Sequence, residues 1–412
     1  MAVRHGYGKI AGTDALVFAY DTGDIRNSYK GRPTTNQFPI VGTVGEGAAA
    51  DNTALFPTRG TNSMKRLGYG QTFGGYTIKP SDAVYKFDAV TNYVCAYHGG
   101  SATIPVGAYV TFTFEYLVSE TVTIETGYLA NLENYGNGAF SANPGTIGNS
   151  IERNVWHKVK FTAGPKTSVS GTQAMFLYPG GCSGTRFSST PGYILYKNPM
   201  VEFKSDTIQS QYTSGTRSAT QGLLDLTRNN SIDLSNVSFD SNADIDLDGT
   251  DDYIETADSS LLDLTTDMSF EFVVNADSSQ GNLFPRLIDK SIYLIHISQT
   301  SPFTIAQNIT TSGGLRQTAL GSAFTAGEYT HIVTTYDGRY GQIFVNGDLK
   351  YTRDFSTELA CNTNSTSVRI GGDGSTNRPL NGKLPVAKIY NRALTAAEVQ
   401  SNYRHYKKRF NI

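Results

Sequence analysis

The sequence predicts an all-β protein with two β-sandwich (jelly-roll) domains in tandem, an extended N-terminal arm and one short C-terminal helix. Composition is the first reason: aromatic residues make up 11% of the chain and glycine contributes 42 of 412 residues, whereas charged residues make up only 17%. Aromatic and hydroxyl side chains suit pleated strands, and glycine suits the turns between them. The second reason is a set of segments in which apolar and polar residues alternate. A chain of this length is also too long for one ordinary domain.

Alternating apolar and polar residues indicate strands in the middle of the chain, from residue 64 to residue 206. Residues 111–124 place phenylalanine, tyrosine or valine at every second position early in the segment, and residues 155–161 place Val155, His157, Val159 and Phe161 on one face. A period of two residues is typical of a strand with one buried face. Short strands separated by Gly, Pro and Asn turns predict a jelly roll over residues 64–206.

The segments on either side of this domain are poor in apolar residues. Residues 1–63 hold one apolar stretch, at 15–20, and then thin to glycine, alanine, threonine and asparagine over 40–62. We therefore predict an N-terminal arm that buries too little surface to be stable alone and packs on another element, with another subunit as one candidate. Residues 207–242 are polar and turn-rich, and we predict that they connect the two domains.

The last part of the chain, residues 243–412, predicts a second β-sandwich. The segment MSFEFVV alternates with a period of two residues. Asn346 and Gly347 follow an apolar run and tolerate positive φ, which predicts a type I′ hairpin. Thr395 and Glu398 have the spacing of a capping box, so a helix is predicted at the C-terminus.

Charge and hydropathy exclude several classes of protein. A net charge of −2 and a pI near 6.3 give no basic surface, so nucleic acid is not an expected partner. No apolar run approaches the roughly 18 residues that a membrane span needs, so membrane insertion is not expected. The N-terminus lacks the apolar core of a secretory signal. Cys95, Cys182 and Cys361 are odd in number and far apart, which argues against a disulfide framework or a zinc site.

Five segments of residues 243–412 follow a recognisable order. They are DIDLDGTDDYIE, MSFEFVV, GEYTHIVTTYDGRYGQIFVNGDLK, SVRIGG and NGKLPVAKIYNRALTAAEVQSNY. In order and spacing they resemble the laminin-G-like branch of the concanavalin-A-like lectin/glucanase fold. In the middle domain, ERNVWHKVKFTAG, ILYKNPMVEFKSDT and YTSGTRSA are similar to jelly-roll carbohydrate-binding modules. The resemblance implies two domains of the kind that bind sugars.

Two shorter segments resemble parts of bacteriophage virion proteins. IYNRALTAAEV is similar to a helix carried on phage structural proteins, and LVFAYDTGDIRNSYKGRPTTN is similar to the openings of phage tail and virion proteins. The resemblance implies a protein on the particle surface, in which residues 1–63 bind other virion proteins, the β domains contact host surface glycan and the chain forms a homo-oligomer. Two roles stay open: a tail fibre or adhesin for host attachment, and a capsid decoration or head-fibre protein with a structural role.

Four aromatic residues are candidates for contact with a glycan: Trp156, Tyr128, Tyr135 and Phe140. Trp156 lies beside lysines on one face of its predicted strand, and an aromatic ring flanked by polar groups suits the apolar face of a sugar. The other three lie in the Gly/Asn-rich stretch GYLANLENYGNGAFSANPG, where loop aromatics on a rigid scaffold suit ligand contact. Packing of Trp156 at a strand start, and anchoring of the loop by its own aromatic residues, are the alternatives.

Four acidic residues, Asp244, Asp246, Asp248 and Glu255, have the spacing of an EF-hand loop, with Gly249 at the turn position. Carboxylate oxygens are ligands that calcium prefers. An EF-hand needs a helix on each side, however, and neither LSNVSFDSNA nor YIETADSSLLDL has helical periodicity. The pattern therefore favours a strand and a turn, with a calcium site of another kind as the alternative. No other cofactor is expected.

Catalysis is not expected from this sequence. A retaining glucanase needs two carboxyl groups about 5 Å apart, and the strand SFEFVV supplies only Glu271. The six histidines form no HxH or HExxH motif, and GxSxG is absent. A glycan-degrading enzyme is therefore the remote alternative to a binding protein.

Overall fold

The computed structural model describes two compact units. Met1–Pro33 and Ser218–Ile412 form the outer unit, and Thr34–Arg217 form the inserted unit. The described residues are 11–412 without 41–43, 52–57, 60–63, 90–95, 122–126, 129, 135–145, 148–150, 168–172, 178–191, 240–244, 282 and 375–377.

Strands and helices are numbered here in chain order. The outer unit begins with a 3-10 turn, Thr13–Ala15, and β1, Leu16–Asp21. The inserted unit contains β2 (Thr34–Thr35), β3 (Ala49–Asp51), β4 (Thr58–Arg59), β5 (Met64–Leu67), β6 (Thr72–Phe73), β7 (Tyr76–Thr77), β8 (Val84–Ala89), β9 (Ala96–Ala102), β10 (Tyr109–Val118), β11 (Gly127–Tyr128), β12 (Ala130–Asn134), β13 (Thr146–Ile147), β14 (His157–Ala163), β15 (Gln173–Leu177), β16 (Gly192–Lys204) and β17 (Thr216–Arg217). The outer unit continues with α1 (Ala219–Gly222), β18 (Ile232–Asp233), β19 (Asp246–Asp248), β20 (Ile254–Thr256), β21 (Met268–Ala276), β22 (Arg286–Asp289), β23 (Tyr293–Ile297), β24 (Phe303–Thr311), β25 (Gly314–Phe324), β26 (Thr330–Tyr336), β27 (Tyr340–Val345), β28 (Asp348–Asp354), β29 (Val368–Ile370), β30 (Asn381–Tyr390) and α2 (Ala396–Phe410).

The inserted unit packs a six-stranded sheet against a four-stranded sheet. The larger sheet has the order β14-β10-β16-β8-β5-β3, and the smaller has the order β12-β15-β9-β4. Phe112, Phe114 and Tyr116 of β10 lie in the core with Met175 and Leu177 of β15. The alternation predicted for β10 is therefore confirmed, because its aromatic positions are the ones that face the other sheet.

The outer unit packs two seven-stranded sheets against each other. Sheet I has the order β1-β30-β21-β26-β27-β28, with β19 also paired to β30, and sheet II has the order β18-β20-β29-β22-β23-β24-β25. Phe270 and Phe272 of sheet I meet Tyr293 and Ile295 of sheet II in one continuous core. The prediction of an all-β chain with a short C-terminal helix is confirmed.

The N-terminal segment differs from the arm that the sequence predicts. β1 pairs antiparallel with β30, and its Phe18 and Tyr20 are fully buried. Burial of apolar side chains along nearly the whole of β1 favours its addition to sheet I over a separate arm. The predicted domain boundary at residue 63 is therefore wrong, since the outer unit takes the chain up to Pro33. The predicted connector is wrong from Ser218 onwards, because those residues return to the outer unit.

Two local predictions in the outer unit are confirmed. Asn346 and Gly347 connect β27 to β28 with φ values of 50° and 82°. The hydroxyl of Thr395 accepts a hydrogen bond from the Glu398 backbone amide at 3.3 Å, and the Glu398 carboxylate accepts one from the Thr395 amide at 2.9 Å. This capping box begins α2. Among the described residues, neither helix combines the length and the apolar character needed to cross a bilayer.

α2 covers the face of sheet I that lies opposite the core. Val399 packs with Val333 and Phe344, and Tyr406 packs with Val273 and Val386. The helix is thereby held on the sheet by two apolar contacts, one near its start and one near its end.

Candidate functional site

Trp156, the first of the predicted glycan contacts, is a structural anchor in the inserted unit. Its indole N–H donates a hydrogen bond to the carbonyl of Phe73 at 2.9 Å. The Tyr76 ring meets it edge-on at 6.2 Å, and the Lys197 ammonium lies 4.7 Å from the indole centre. The half-buried ring packs on a small apolar cluster around Leu117. These contacts hold the β6–β7 hairpin against the six-stranded sheet.

The other three predicted glycan residues cannot be placed with Trp156. Tyr135 and Phe140 lie outside the described residues. The backbone of Tyr128 pairs with Thr146 in the small β11–β13 sheet. A glycan contact at these positions stays a prediction.

The predicted EF-hand spacing falls on strands of two different sheets. Asp246 and Asp248 lie on β19 of sheet I, and Glu255 lies on β20 of sheet II. Gly249 makes the turn after β19 with a φ of 72°. Asp244 lies outside the described residues. The described elements next to this loop are strands, as the sequence favoured, and the Glu255 carboxylate is engaged by Arg369 at 3.3 Å.

The carboxylates that do converge are those of Asp248, Asp251 and Asp252, whose ligand atoms lie within 4.8 Å of one another. One oxygen of Asp252 accepts hydrogen bonds from the amide and hydroxyl of Ser238, and the other accepts one from the Asp248 amide. Burial raises the pKa of Asp252, and the Asp248 charge adds to this rise, although these hydrogen bonds oppose it. Asp252 is thus already used to close the turn. Calcium binding stays a prediction, with only Asp248 shared between the predicted set and this cluster.

Glu271 lies fully buried between sheet I and α2. Its carboxylate accepts hydrogen bonds from His331 at 2.9 Å, Asn402 at 3.0 Å and Tyr390 at 2.5 Å, and its distance to the Lys388 ammonium is 3.2 Å. Burial alone would raise the pKa of Glu271, but Lys388, His331 and Tyr390 together lower it to about 2. This ionised, fully hydrogen-bonded group joins the helix to the sheet and has no access to a substrate.

The face of sheet II that lies opposite the core carries a row of polar side chains. Cross-strand pairing runs from Glu255 on β20 to Arg369 on β29, and on to Asp289 on β22. The row continues through Leu294 on β23 to Asn308 on β24 and Gln317 on β25. All six side chains are partly or fully exposed. We call its five polar members, Glu255, Arg369, Asp289, Asn308 and Gln317, the polar row; the apolar Leu294 lies between Asp289 and Asn308.

Neighbouring groups hold the side chains of the polar row in place. The Gln317 amide donates a hydrogen bond to the Asn308 carbonyl oxygen at 3.0 Å. Asp289 accepts from the Arg286 guanidinium at 2.8 Å. Burial raises the pKa of Asp289, although the Ser291 amide and Arg286 oppose this rise. The result is a surface of fixed planar groups that can both donate and accept hydrogen bonds.

A cluster of aromatic and arginine side chains borders the polar row at the start of β22. Phe284 is 44% exposed, and its ring meets His296 edge-on at 5.0 Å. The Arg378 guanidinium lies 5.4 Å from the centre of the Phe284 ring. Burial, Arg286 and Arg378 together lower the pKa of His296 to about 4, against a smaller effect of the Ile297 backbone. His296 is therefore neutral at neutral pH. We call Phe284, Arg286, His296 and Arg378 the arginine corner.

Sequence reasoning did not find the polar row or the arginine corner. The segment Phe284-Pro-Arg286 carried the available signal, an aromatic residue and an arginine at the start of a strand. Arg378 carried none, because it reaches this corner only through the pairing of distant chain segments: the Arg286 amide donates to the Arg378 carbonyl at 3.1 Å.

Comparison with known proteins bears on the outer unit. Residues 248–400 match the family model described as Concanavalin A-like lectin/glucanases superfamily. This range runs from the end of β19 into α2, so the resemblance inferred for the C-terminal domain is confirmed. No curated protein matches the sequence.

Three solved structures are similar to parts of the chain. The binding domain of Paraclostridial Mosquitocidal Protein 1 has 16% identity and a TM-score of 0.38, covering 45% of this chain and 49% of that one. The Botulinum Neurotoxin serotype G binding domain has 16% identity and a TM-score of 0.37, covering 44% and 48%. The CBM40 of Ruminococcus gnavus IT-sialidase, bound to alpha2,3 sialyllactose, has 16% identity and a TM-score of 0.28, covering 33% and 82%. The aligned part of this chain spans about half the length of the first two.

Proposed function

We propose that the chain is a non-enzymatic protein that binds glycans through the outer face of sheet II. The observation that carries the proposal is the polar row, which crosses six strands of that face. Amide, carboxylate and guanidinium groups form the directional hydrogen bonds that sugar hydroxyls need, and the exposed Phe284 ring offers an apolar surface for a sugar ring. The match of residues 248–400 to a superfamily that includes lectins supports the same function.

The state of the acidic side chains supports binding over hydrolysis. Glu271, the acid that the sequence singled out, is buried under α2. On the polar row, Glu255 is paired with Arg369 and Asp289 with Arg286. A glycosidase needs one carboxyl group to act as an acid and a second to act as a nucleophile or base. Carboxylates held by arginines suit hydrogen bonding to hydroxyls better than proton donation.

A glycan array with the full chain tests this function. We expect retention of at least one glycan, and we expect the double variant Asn308→Ala and Gln317→Ala to weaken it about tenfold, since each hydrogen bond contributes roughly 0.5–1.5 kcal/mol. Lys350→Ala, an exposed change on β28 of sheet I, is the matched control and should bind as the unaltered protein does. Retention of no glycan, or full binding by the double variant, would contradict the proposal.

The setting that we propose is the surface of a bacteriophage virion. The segments IYNRALTAAEV and LVFAYDTGDIRNSYKGRPTTN support it through their resemblance to phage structural proteins. In a tail fibre or adhesin, the glycan-binding face would serve host attachment, and many copies on one particle would raise avidity without new contacts. Residues 1–63 would bind other virion proteins, and the chain would act as a homo-oligomer. A capsid decoration protein is the second candidate, supported by the same resemblance.

Electron microscopy of particles labelled with an antibody against residues 243–412 tests the setting separately from glycan binding. Label at the tail or its fibres supports host attachment. Label over the head supports decoration. Particles without label would contradict the virion proposal and would leave the glycan-binding proposal standing.

A further inference from the structure

The arginine corner brings two guanidinium groups to one short loop. The Arg286 guanidinium donates a hydrogen bond to the carbonyl of Phe284 at 3.1 Å. The Arg378 guanidinium donates one to the carbonyl of Leu283, the preceding residue. Their backbones are also hydrogen-bonded, from the Arg286 amide to the Arg378 carbonyl. Two positive charges are therefore fixed side by side at the edge of the polar row.

The same loop holds apolar surface out to solvent. Leu283 is 57% exposed and Phe284 is 44% exposed. Phe284 has a φ of 60°, a conformation that is rare for a bulky residue and costs of order 1–3 kcal/mol. Strain of this kind persists only where the surroundings fix it, here through the contacts of the ring with His296 and Arg378. The Phe284 ring is thus held with part of its surface exposed to solvent.

The two arginines differ in how their charge is balanced. Arg286 is paired with Asp289 at 2.8 Å, and Arg369 further along the row is paired with Glu255 at 3.3 Å. Within the part of the chain that the structure describes, Arg378 has no carboxylate at ion-pair distance. A guanidinium has five N–H donors and matches a carboxylate with two parallel hydrogen bonds. Arg378 therefore has both the charge and the donors for an anionic group from outside.

We propose that the arginine corner binds the carboxylate of an acidic sugar, with Arg378 as its partner and the Phe284 ring against the sugar ring. This inference rests on the proposed function and names its ligand class. A sugar with a single carboxylate fits better than a polyanion, because Glu255 and Asp289 lie on the same face. These carboxylates accept hydrogen bonds from hydroxyl groups and repel additional negative charge.

The pKa of His296 should report the binding of a carboxylate at Arg378. Its ring lies against Phe284, and the positive charges of Arg286 and Arg378 help to hold its pKa near 4. A carboxylate bound at Arg378 offsets part of that positive field, which favours the protonated ring. Binding of the acidic sugar should therefore raise the pKa of His296, and a neutral sugar should not.

The test uses the full chain and three oligosaccharides that end in sialic, glucuronic or galacturonic acid, each paired with its methyl ester. The ester keeps the sugar and removes the charge. We expect at least one acid to bind about 10- to 100-fold more tightly than its ester, as a charge-assisted bidentate contact predicts. Arg378→Gln should remove this difference between acid and ester. Arg339→Gln, which removes an exposed arginine paired with Asp354, is the matched control.

Two further measurements keep the test decisive. Arg378→Lys keeps the charge without the bidentate geometry and should give intermediate affinity for the acid, which separates recognition from a folding defect. The pKa of His296, followed by NMR of labelled histidine, should rise with the bound acid in the unaltered protein and not in Arg378→Gln.

The outcomes separate this inference from the function on which it rests. Equal binding of acid and ester, or an acid preference that survives Arg378→Gln, overturns the inference and leaves glycan binding in place. Failure of every acid and every ester to bind, together with an array that retains no glycan, overturns both.

Discussion

Replacing Glu271 by glutamine should destabilise the outer unit strongly, because it removes the carboxylate that lies at ion-pair distance from Lys388 beneath α2. Both side chains are fully buried, with the ammonium 3.2 Å from the carboxylate. Removal of one partner from a buried ion pair costs roughly 3–5 kcal/mol, since the other charge is left without compensation. Glutamine has nearly the size of glutamate, so the loss would come from charge and hydrogen bonding rather than from a cavity.

The pKa of Glu271 gives a second route to the same magnitude. The group falls from an ordinary value of 4.5 to about 2 in the folded protein. At about 1.4 kcal/mol per pKa unit, this depression corresponds to roughly 3 kcal/mol of stability at neutral pH. Burial lowers the pKa of Lys388 and so offsets part of this gain, which makes the pKa of Glu271 an upper guide to the contribution of the pair.

The two units allow the effect to be localised. Trp156 is the only tryptophan of the chain and lies in the inserted unit, so its fluorescence follows that unit during urea unfolding. Circular dichroism follows both units. Glu271→Gln should shift the circular dichroism transition to lower urea and leave the fluorescence transition in place.

Asp348→Asn is the matched control, since Asp348 also pairs with a lysine, Lys350, but both side chains are exposed. An exposed pair contributes roughly 0–1 kcal/mol. A loss below 1 kcal/mol for Glu271→Gln would refute the structural role assigned to this carboxylate.

Three further outcomes are expected. The free energy of unfolding of the outer unit should fall as pH drops from about 4.5 towards 2, because the depressed pKa of Glu271 stabilises the folded state fully only above that window. The Glu271→Gln variant should lack this part of the pH dependence. Trp156→Ala should lower the stability of the inserted unit by about 2–4 kcal/mol, since it removes a packed ring and a hydrogen bond. If the folded variant no longer retained glycan, the binding site would lie in the inserted unit, which would contradict the proposed site on sheet II. A chelator should leave the thermal melting curve unchanged, because the Asp252 carboxylate already accepts hydrogen bonds within its turn. A rise of Tm with added calcium would instead assign an ion to the cluster of Asp248, Asp251 and Asp252.

The parts of the fold that follow from local patterns could be predicted from the sequence. The aromatic alternation of β10, the positive φ of Asn346 and Gly347 and the capping box of α2 each depend on residues within a few positions of one another. Local rules of strand periodicity, turn geometry and helix capping are sufficient there.

The parts that depend on distant pairing could not be predicted. β1 joins β30 across more than 360 residues, so its apolar stretch alone could not reveal that it completes sheet I. The arginine corner has the same origin, because Arg286 and Arg378 meet through a contact between separate strand ends. The acidic loop shows a third case, in which sequence spacing suggested Glu255 while the fold turned that residue towards Arg369.

The most direct test of the central claim is a structure of the protein in complex with the glycan that the array selects. We expect the sugar on the outer face of sheet II, with its hydroxyls within hydrogen-bond distance of Asn308 or Gln317 and a ring against Phe284. A sugar bound instead at Trp156 of the inserted unit, or away from the polar row, would contradict the account.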